Sequence, residues 1–365
     1  MNCRLAGMID DFYNKATYGL DKDEKDKLVT RELLELTEFH QEKCEPYANI
    51  LKALKFDPKK VNHSSDIPFF PVRLFKEMDL LSIPRDEIFK TMTSSGTTGQ
   101  AVSKIYVDRD TAMMQQKVMI RILGEYLGKQ RIPIMVIDTP AVMKDRKQFT
   151  ARGAAVIGLQ VMARGITYVL NDDMSLNVDE MESFLEKNGD KKFLIFGFTF
   201  MVWKHLYEAA KKSRIAFDLS NGWLMTGGGW KKLISNSVTQ DEFHKRMTDA
   251  FGIIHFLDHY GMVEQTGCIY AECECHRLHS SIYSDVFVRR PGDFSLCEKG
   301  EEGIIQTVSV LPHSYPGHSL LTEDRGVILG EDDCPCGRKG KYIKILGRIK
   351  SAELRGCSDT YAAKY

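Results

Sequence analysis

Apolar residues recur every three to four positions through DKDEKDKLVTRELLELTEFHQEKCEPYANILKAL (21–54), the period of a helix with one buried face. Pro68, Pro71 and Pro84 then interrupt the period, so residues 1–90 read as a helical N-terminal region. The pattern next changes to short apolar runs, RIPIMVID (131–138), KKFLIFGF (191–198), GWLMTGG (222–228) and IIHFLDHYG (253–261), separated by amphipathic stretches. Strands alternating with helical segments predict βα units around a buried sheet, an α/β fold class. Beyond about residue 280 the helical period fades. IYSDVFVRR, GIIQTVSVL and KYIKILGRIK predict a β-rich module with Gly and Pro turns, and no repeat or heptad pattern is present.

Charge narrows the partners. Lys plus Arg equals Asp plus Glu at 50 each, so no basic field exists to recruit nucleic acid or an anionic membrane. The N-terminus, MNCRLAGMIDDFYNK, lacks a basic segment followed by a long apolar run, and no run of about twenty apolar residues occurs. A cytoplasmic protein without a membrane span is expected. Nine cysteines in such a chain favour reduced thiols or a metal site over a disulfide framework.

Residues 93–100, TSSGTTGQ, contain no apolar side chain. A Ser/Thr/Gly run lets backbone N–H groups approach an anion, and its hydroxyls add donors. A Walker loop would end in Gly-Lys-Ser/Thr, whereas Gly99 is followed by Gln100, which excludes that reading. With Lys104 close behind, Thr93, Ser94, Ser95, Gly96, Thr97, Thr98 and Gly99 resemble the phosphate loop of the adenylate-forming superfamily. Four more motifs come after it in the superfamily's order. Gly227, Gly228 and Gly229 after Thr226 resemble the glycine loop that packs against adenine. Tyr260-Gly261-Met262-Val263-Glu264 resembles the aromatic-Gly-x-x-Glu motif, with the ring on adenine and Glu264 helping to hold Mg²⁺. Thr322-Glu323-Asp324 resembles the Thr-x-Asp motif that binds ribose, and Gly347-Arg348 the hinge Gly-Arg. The resemblance implies ATP and Mg²⁺, and an adenylation core over 91–346 made of α/β subdomains plus the β-rich module.

The sequence departs from most of that superfamily after the hinge, running only seventeen residues past Arg348. The mobile C-terminal domain, with its catalytic Lys, is thus expected to be reduced to a hinge and acyl-acceptor tail over 347–365. There Cys357 follows Gly356 and the cation of Arg355, a setting that favours thiolate. Together with IPFFPVRLFKE (67–77), FGFTF (196–200) and LPHSYPGHS (311–319), this tail resembles the LuxE-type acyl-protein synthetases over essentially the whole chain. The resemblance implies that a fatty acid is activated as acyl-AMP and transferred to Cys357, and that a fatty-acyl reductase partner receives the thioester. Glu264 and Lys104 are the other catalytic candidates, with Lys350, Arg355 and Lys364 as rival replacements for the missing Lys. The apolar stretch 193–203 reads equally as a chain-binding wall or as core. The alternatives are a phenylacetate-type CoA ligase, or another adenylate-former using a separate carrier, and a non-catalytic zinc-stabilised scaffold.

A second constellation lies outside these motifs: Cys273, Cys275 and His279 in ECECHRLH, then Cys334 and Cys336 in DDCPCGRKG. Cys273, His279, Cys334 and Cys336 would form a closed Cys₃His zinc site of structural type, with His276 competing with His279 and Cys275 with Cys273. The spacing resembles a zinc site of phenylacetate-CoA-ligase-like proteins.

Overall fold

The computed structural model describes residues 11–94, 102–143, 151–228 and 238–349. These fall into two units, one formed by 124–259 and the other by 11–123 with 260–349. No described helix is long and apolar enough to cross a membrane.

The 124–259 unit is built on five parallel strands: β4 (Ile132–Val136), β5 (Ala163–Tyr168), β6 (Phe193–Phe198), β7 (Gly222–Gly227) and β8 (His255–Phe256), in the order β5-β4-β6-β7-β8. Their unbroken apolar runs fit strands covered on both faces. Helices Val178–Asn188 and Gln240–Phe251 begin where Asn177 and Thr239 side chains accept from the Glu180 and Glu242 N–H groups, and the second ends at Gly252 with φ 72°. Met181, Phe184, Phe243 and Met247 of these helices pack in one cluster with Phe193, Ile195 and Leu224 of the sheet. Phe193–Phe196 and Met201–Trp203 are buried, so most of the 193–203 stretch is core. Only Phe198 and Phe200, at and past the carboxyl end of β6, are half-buried.

In the other unit an eight-stranded sheet runs β12 (Ser284–Arg289), β13 (Gly303–Ser309), β14 (Ser319–Glu331), β15 (Lys341–Arg348), β11 (Leu278–His279), β10 (Tyr270–Glu272) and β9 (His259–Tyr260). β1 (Phe70–Pro71) joins it by parallel pairing with β14, Phe70 opposite Leu320 and Pro71 opposite Leu321. The run 253–261 therefore does not make one strand but two. Leu257 N–H still bonds Leu224 O, while the Asp258 carboxylate accepts from the next N–H, that of His259, and turns the chain.

Two buried polar clusters tie the helix Lys22–Lys43 to this sheet. Lys25 reaches Asp285 on β12 (3.3 Å) and Ser280 (2.8 Å), and Lys341 of β15 pairs with the same carboxylate. Burial pulls the Lys25 pKa down, while the two ammoniums outweigh burial at Asp285 and hold its carboxyl low. Further along the helix, His40 contacts Ser82 Oγ (2.7 Å) and Pro312 O (2.9 Å), and its ring stacks on His318 at 5.2 Å. The segment 311–319 is thus fastened to the N-terminal region by its own histidine.

Candidate nucleotide and metal sites

The stem of the Ser/Thr/Gly loop is a hairpin of β2 (Lys90–Thr93) and β3 (Lys104–Val107), with Thr93 opposite Lys104. Ser94 N–H donates to Ser103 O (3.2 Å), and Ser103 N–H returns to Ser94 Oγ (2.9 Å), closing the base. The rest of the loop, Ser95, Gly96, Thr97, Thr98 and Gly99, lies outside the described residues, as do Gly229, Lys350, Arg355, Cys357 and Lys364. Lys104 is exposed, and its charge helps to keep the Asp79 carboxyl low, after the hydrogen bonds from Arg85 and Tyr106.

The glycine loop belongs to the 124–259 unit. Gly227 ends β7 where an added Cβ would stand 2.6 Å from the His259 ring, and Gly228 has φ +74°. Thr199 Oγ1 donates to Gly228 O at 3.0 Å, and His259 Nδ1 stands 3.0 Å from Thr226 O. Neither glycine can be replaced without moving the backbone.

In the other unit β14 and β15 bring three candidates together. Asp324 faces Arg348 across the ladder, with Arg348 Nε 3.5 Å from Asp324 Oδ1. Tyr260 donates its hydroxyl to Asp324 Oδ2 at 2.8 Å. Thr322 fixes the turn of the strand: its Oγ1 donates to Ile305 O (2.8 Å) and accepts from Asp324 N–H (3.1 Å). Burial, then the Asp324 charge, raise the Tyr260 pKa well above that of a free phenol, so the hydroxyl stays a donor.

Glu264 sits in the short turn Val263–Gln265 and is buried. Burial raises its pKa; the Ser103 hydroxyl opposes that shift, as do the more distant charges of Lys76 and Arg348. A desolvated carboxylate with cations near but not dominating it suits a bound divalent ion, which would restore the ionised form. The turn is braced from below. Tyr315 donates to Glu264 O (3.0 Å), and Gln265 Nε2 donates to Gly317 O (2.9 Å) and Thr307 O (3.2 Å).

Cys273, His279, Cys334 and Cys336 converge so that their ligand atoms all lie within 4.8 Å of one another. Two turns bring this about. The β10–β11 hairpin pairs Ala271 with His279 and closes through His276 at φ 56°, while between β14 and β15 the Gly337 N–H closes a turn on Cys334 O. Cys273 Sγ is 3.9 Å from Cys334 Sγ, and Cys336 Sγ is 3.5 Å from His279 Nε2. Burial pushes the His279 pKa down to about 4, keeping the ring neutral as a ligand must be. His276 instead turns its Nδ1 to Glu272 at 3.0 Å, and Cys275 N–H donates to Cys273 Sγ, so neither rival joins the four. Such a soft, closed donor set fits zinc.

One residue of this neighbourhood had no signal in the sequence. Lys76 acts on the Glu264 carboxylate from the helix Leu74–Glu77, a position no motif singled out.

Comparison with known proteins points in the same direction. The family model described as acyl-protein synthetase, LuxE, matches residues 4–365. Two relatives are each described as a long-chain-fatty-acid–luciferin-component ligase. The Vibrio harveyi protein is 24% identical over 352 residues, covering 92% of this chain and 87% of its own. The Aliivibrio fischeri protein is 24% identical over 351 residues with the same coverage. Among solved structures, an open conformation of 2-hydroxyisobutyryl-CoA ligase, in complex with 2-HIB-AMP and CoA, superposes with a TM-score of 0.69 at 16% identity. That match covers 92% of this chain and 77% of the ligase. The likeness is one of fold, an adenylate-forming α/β core.

Proposed function

Because the chain belongs to the LuxE family of acyl-protein synthetases, we propose that it activates a long-chain fatty acid with ATP and then transfers the acyl group to a cysteine, Cys357, of its own tail. The observation that carries the reading is the Tyr260–Asp324–Arg348 contact, which places three of the predicted nucleotide-binding residues within hydrogen-bond or ion-pair reach of one carboxylate.

In the first step the fatty-acid carboxylate oxygen attacks the α-phosphorus of ATP; the new C(O)O–P bond forms as the bond to the β-phosphate oxygen breaks, and pyrophosphate leaves. Charge accumulates on the phosphoryl oxygens, so donors positioned beforehand are worth more than new ones. The hairpin stem Thr93–Lys104 holds the Ser/Thr/Gly loop for this purpose, Asp324 accepts from the ribose hydroxyls in place of the Tyr260 hydroxyl, and Arg348 keeps Asp324 ionised and oriented. Mg²⁺, when bound at Glu264, supplies charge neutralisation for the leaving pyrophosphate. In the second step the Cys357 thiolate attacks the acyl carbonyl, the bond to AMP breaks, and a thioester remains for a reductase to take up. Cys273, His279, Cys334 and Cys336 hold a structural zinc ion that pins the two turns together.

Intact-protein mass measurement after incubation with ATP, Mg²⁺ and fatty acids tests the reading. We expect an ATP-dependent acyl mass that neutral hydroxylamine removes and Cys357→Ser abolishes. An adduct that persists in Cys357→Ser would overturn the role of that thiol. Pyrophosphate release without any adduct would assign the acyl group to CoA or a separate carrier.

A further inference from the structure

The N-terminal region holds a cation against the adenylation turn. β1 pairs with β14 next to the strand's Thr322–Asp324 segment, and Val72 N–H donates to Leu321 O at 2.9 Å, which fixes the start of the helix Leu74–Glu77. Phe75 is 1% exposed and meets the Tyr315 ring edge-on at 6.0 Å. Tyr315, itself fully buried, receives Gln115 Nε2 (3.3 Å) and donates to Glu264 O (3.0 Å). The helix is therefore only two contacts from the backbone of Glu264, through rigid aromatic packing.

Two other charged residues of this segment neutralise each other: Arg73 binds Glu77 through Nε (3.0 Å) and Nη2 (2.8 Å). Lys76 is different. Half-buried, it has no carboxylate within 4.0 Å among the described residues, yet its charge acts on the buried Glu264 carboxylate from beyond contact distance, as does that of Arg348. Two cations flanking a buried carboxylate without touching it leave room for an anion held between them and a metal ion.

We propose that Lys76 is a substrate-binding residue of the adenylation site, its ammonium donating to a phosphate oxygen of ATP opposite Glu264. Resting on the adenylation reading, this assigns to the IPFFPVRLFKE segment a part in phosphate binding. The lysine is a point charge on a flexible stem, suited to track the pyrophosphate as it separates.

Fatty-acid-dependent ATP–pyrophosphate exchange tests it in wild type, Lys76→Met and Lys76→Arg, with thermal midpoints measured alongside. Lys76→Met should lose at least about tenfold in kcat/KM for ATP, with its thermal midpoint unchanged. Lys76→Arg should recover most of that loss. Lys76→Met matching an active wild type would overturn the inference and leave the adenylation reading intact. Equal losses in both variants, tracking a lowered midpoint, would also overturn it, since a packing role ignores charge. Absence of exchange in wild type itself would remove the adenylation reading and this inference with it.

Discussion

The hairpin of β14 and β15 carries two sites of opposite character at its two ends. At one end Asp324 and Arg348 form a partly exposed, exchangeable polar contact with Tyr260. At the other, the turn following Glu331 delivers Cys334 and Cys336 to Cys273 and His279. The first end has partners that a ribose can displace; the second has ligands with nowhere else to go. A ladder of paired residues joins them, so the permanent end can hold the register in which the exchangeable end works. Structure is fixed where the ligand stays, and chemistry is placed where the ligand turns over.

Breaking the permanent end should have the largest effect. Cys334→Ser is expected to cost about 4 kcal/mol or more of stability, with loss of bound zinc, measured by thermal unfolding together with metal analysis. Equal stability and no zinc in wild type would dissolve the comparison. At the exchangeable end, Asp324→Ala should cost about 2–3 kcal/mol of ATP affinity, a rise of roughly thirty- to more than a hundredfold in KM, with little change in midpoint. A pH scan sharpens the contrast with a group at neither end. Burial holds the His318 pKa at about 3, with Thr37, Tyr47, His40 and His313 around the ring. Its folded value lies below the unfolded value of about 6.5, so the folded state loses stability as pH falls from about 6.5 towards 3. The slope should approach ~1.4 kcal/mol per pH unit from this group, and His318→Asn should flatten it in urea-unfolding series. The smallest effect belongs to Tyr260→Phe, which removes one hydroxyl from Asp324 and should change KM for ATP by about fivefold or less.

Much of the fold was legible because β4, β6 and β7 are almost wholly buried and their apolar runs stand out from any helical period. Site motifs were legible where chemistry demands small or fixed residue types, as at Gly227 beside His259 or at Thr322, whose hydroxyl shapes the backbone around Asp324. The choice of His279 over His276 was not legible. Both fall within a few residues of the cysteines, and only the β10–β11 register turns one inward and the other to Glu272. Nor could sequence place Lys76, whose meaning comes from Phe75 packing on Tyr315, residues 240 positions apart. The split of 253–261 into β8 and β9 was hidden too, because one Asp258 turn between two apolar pairs leaves the composition of a single strand.

The central claim is that this chain forms an acyl-adenylate before any thioester. ATP–pyrophosphate exchange in the presence of a long-chain fatty acid measures that step alone. Exchange is expected to require the fatty acid and Mg²⁺, to survive Cys357→Ser and to collapse in Glu264→Gln. Wild-type protein that shows no exchange with any fatty acid, or full exchange in Glu264→Gln, would contradict it.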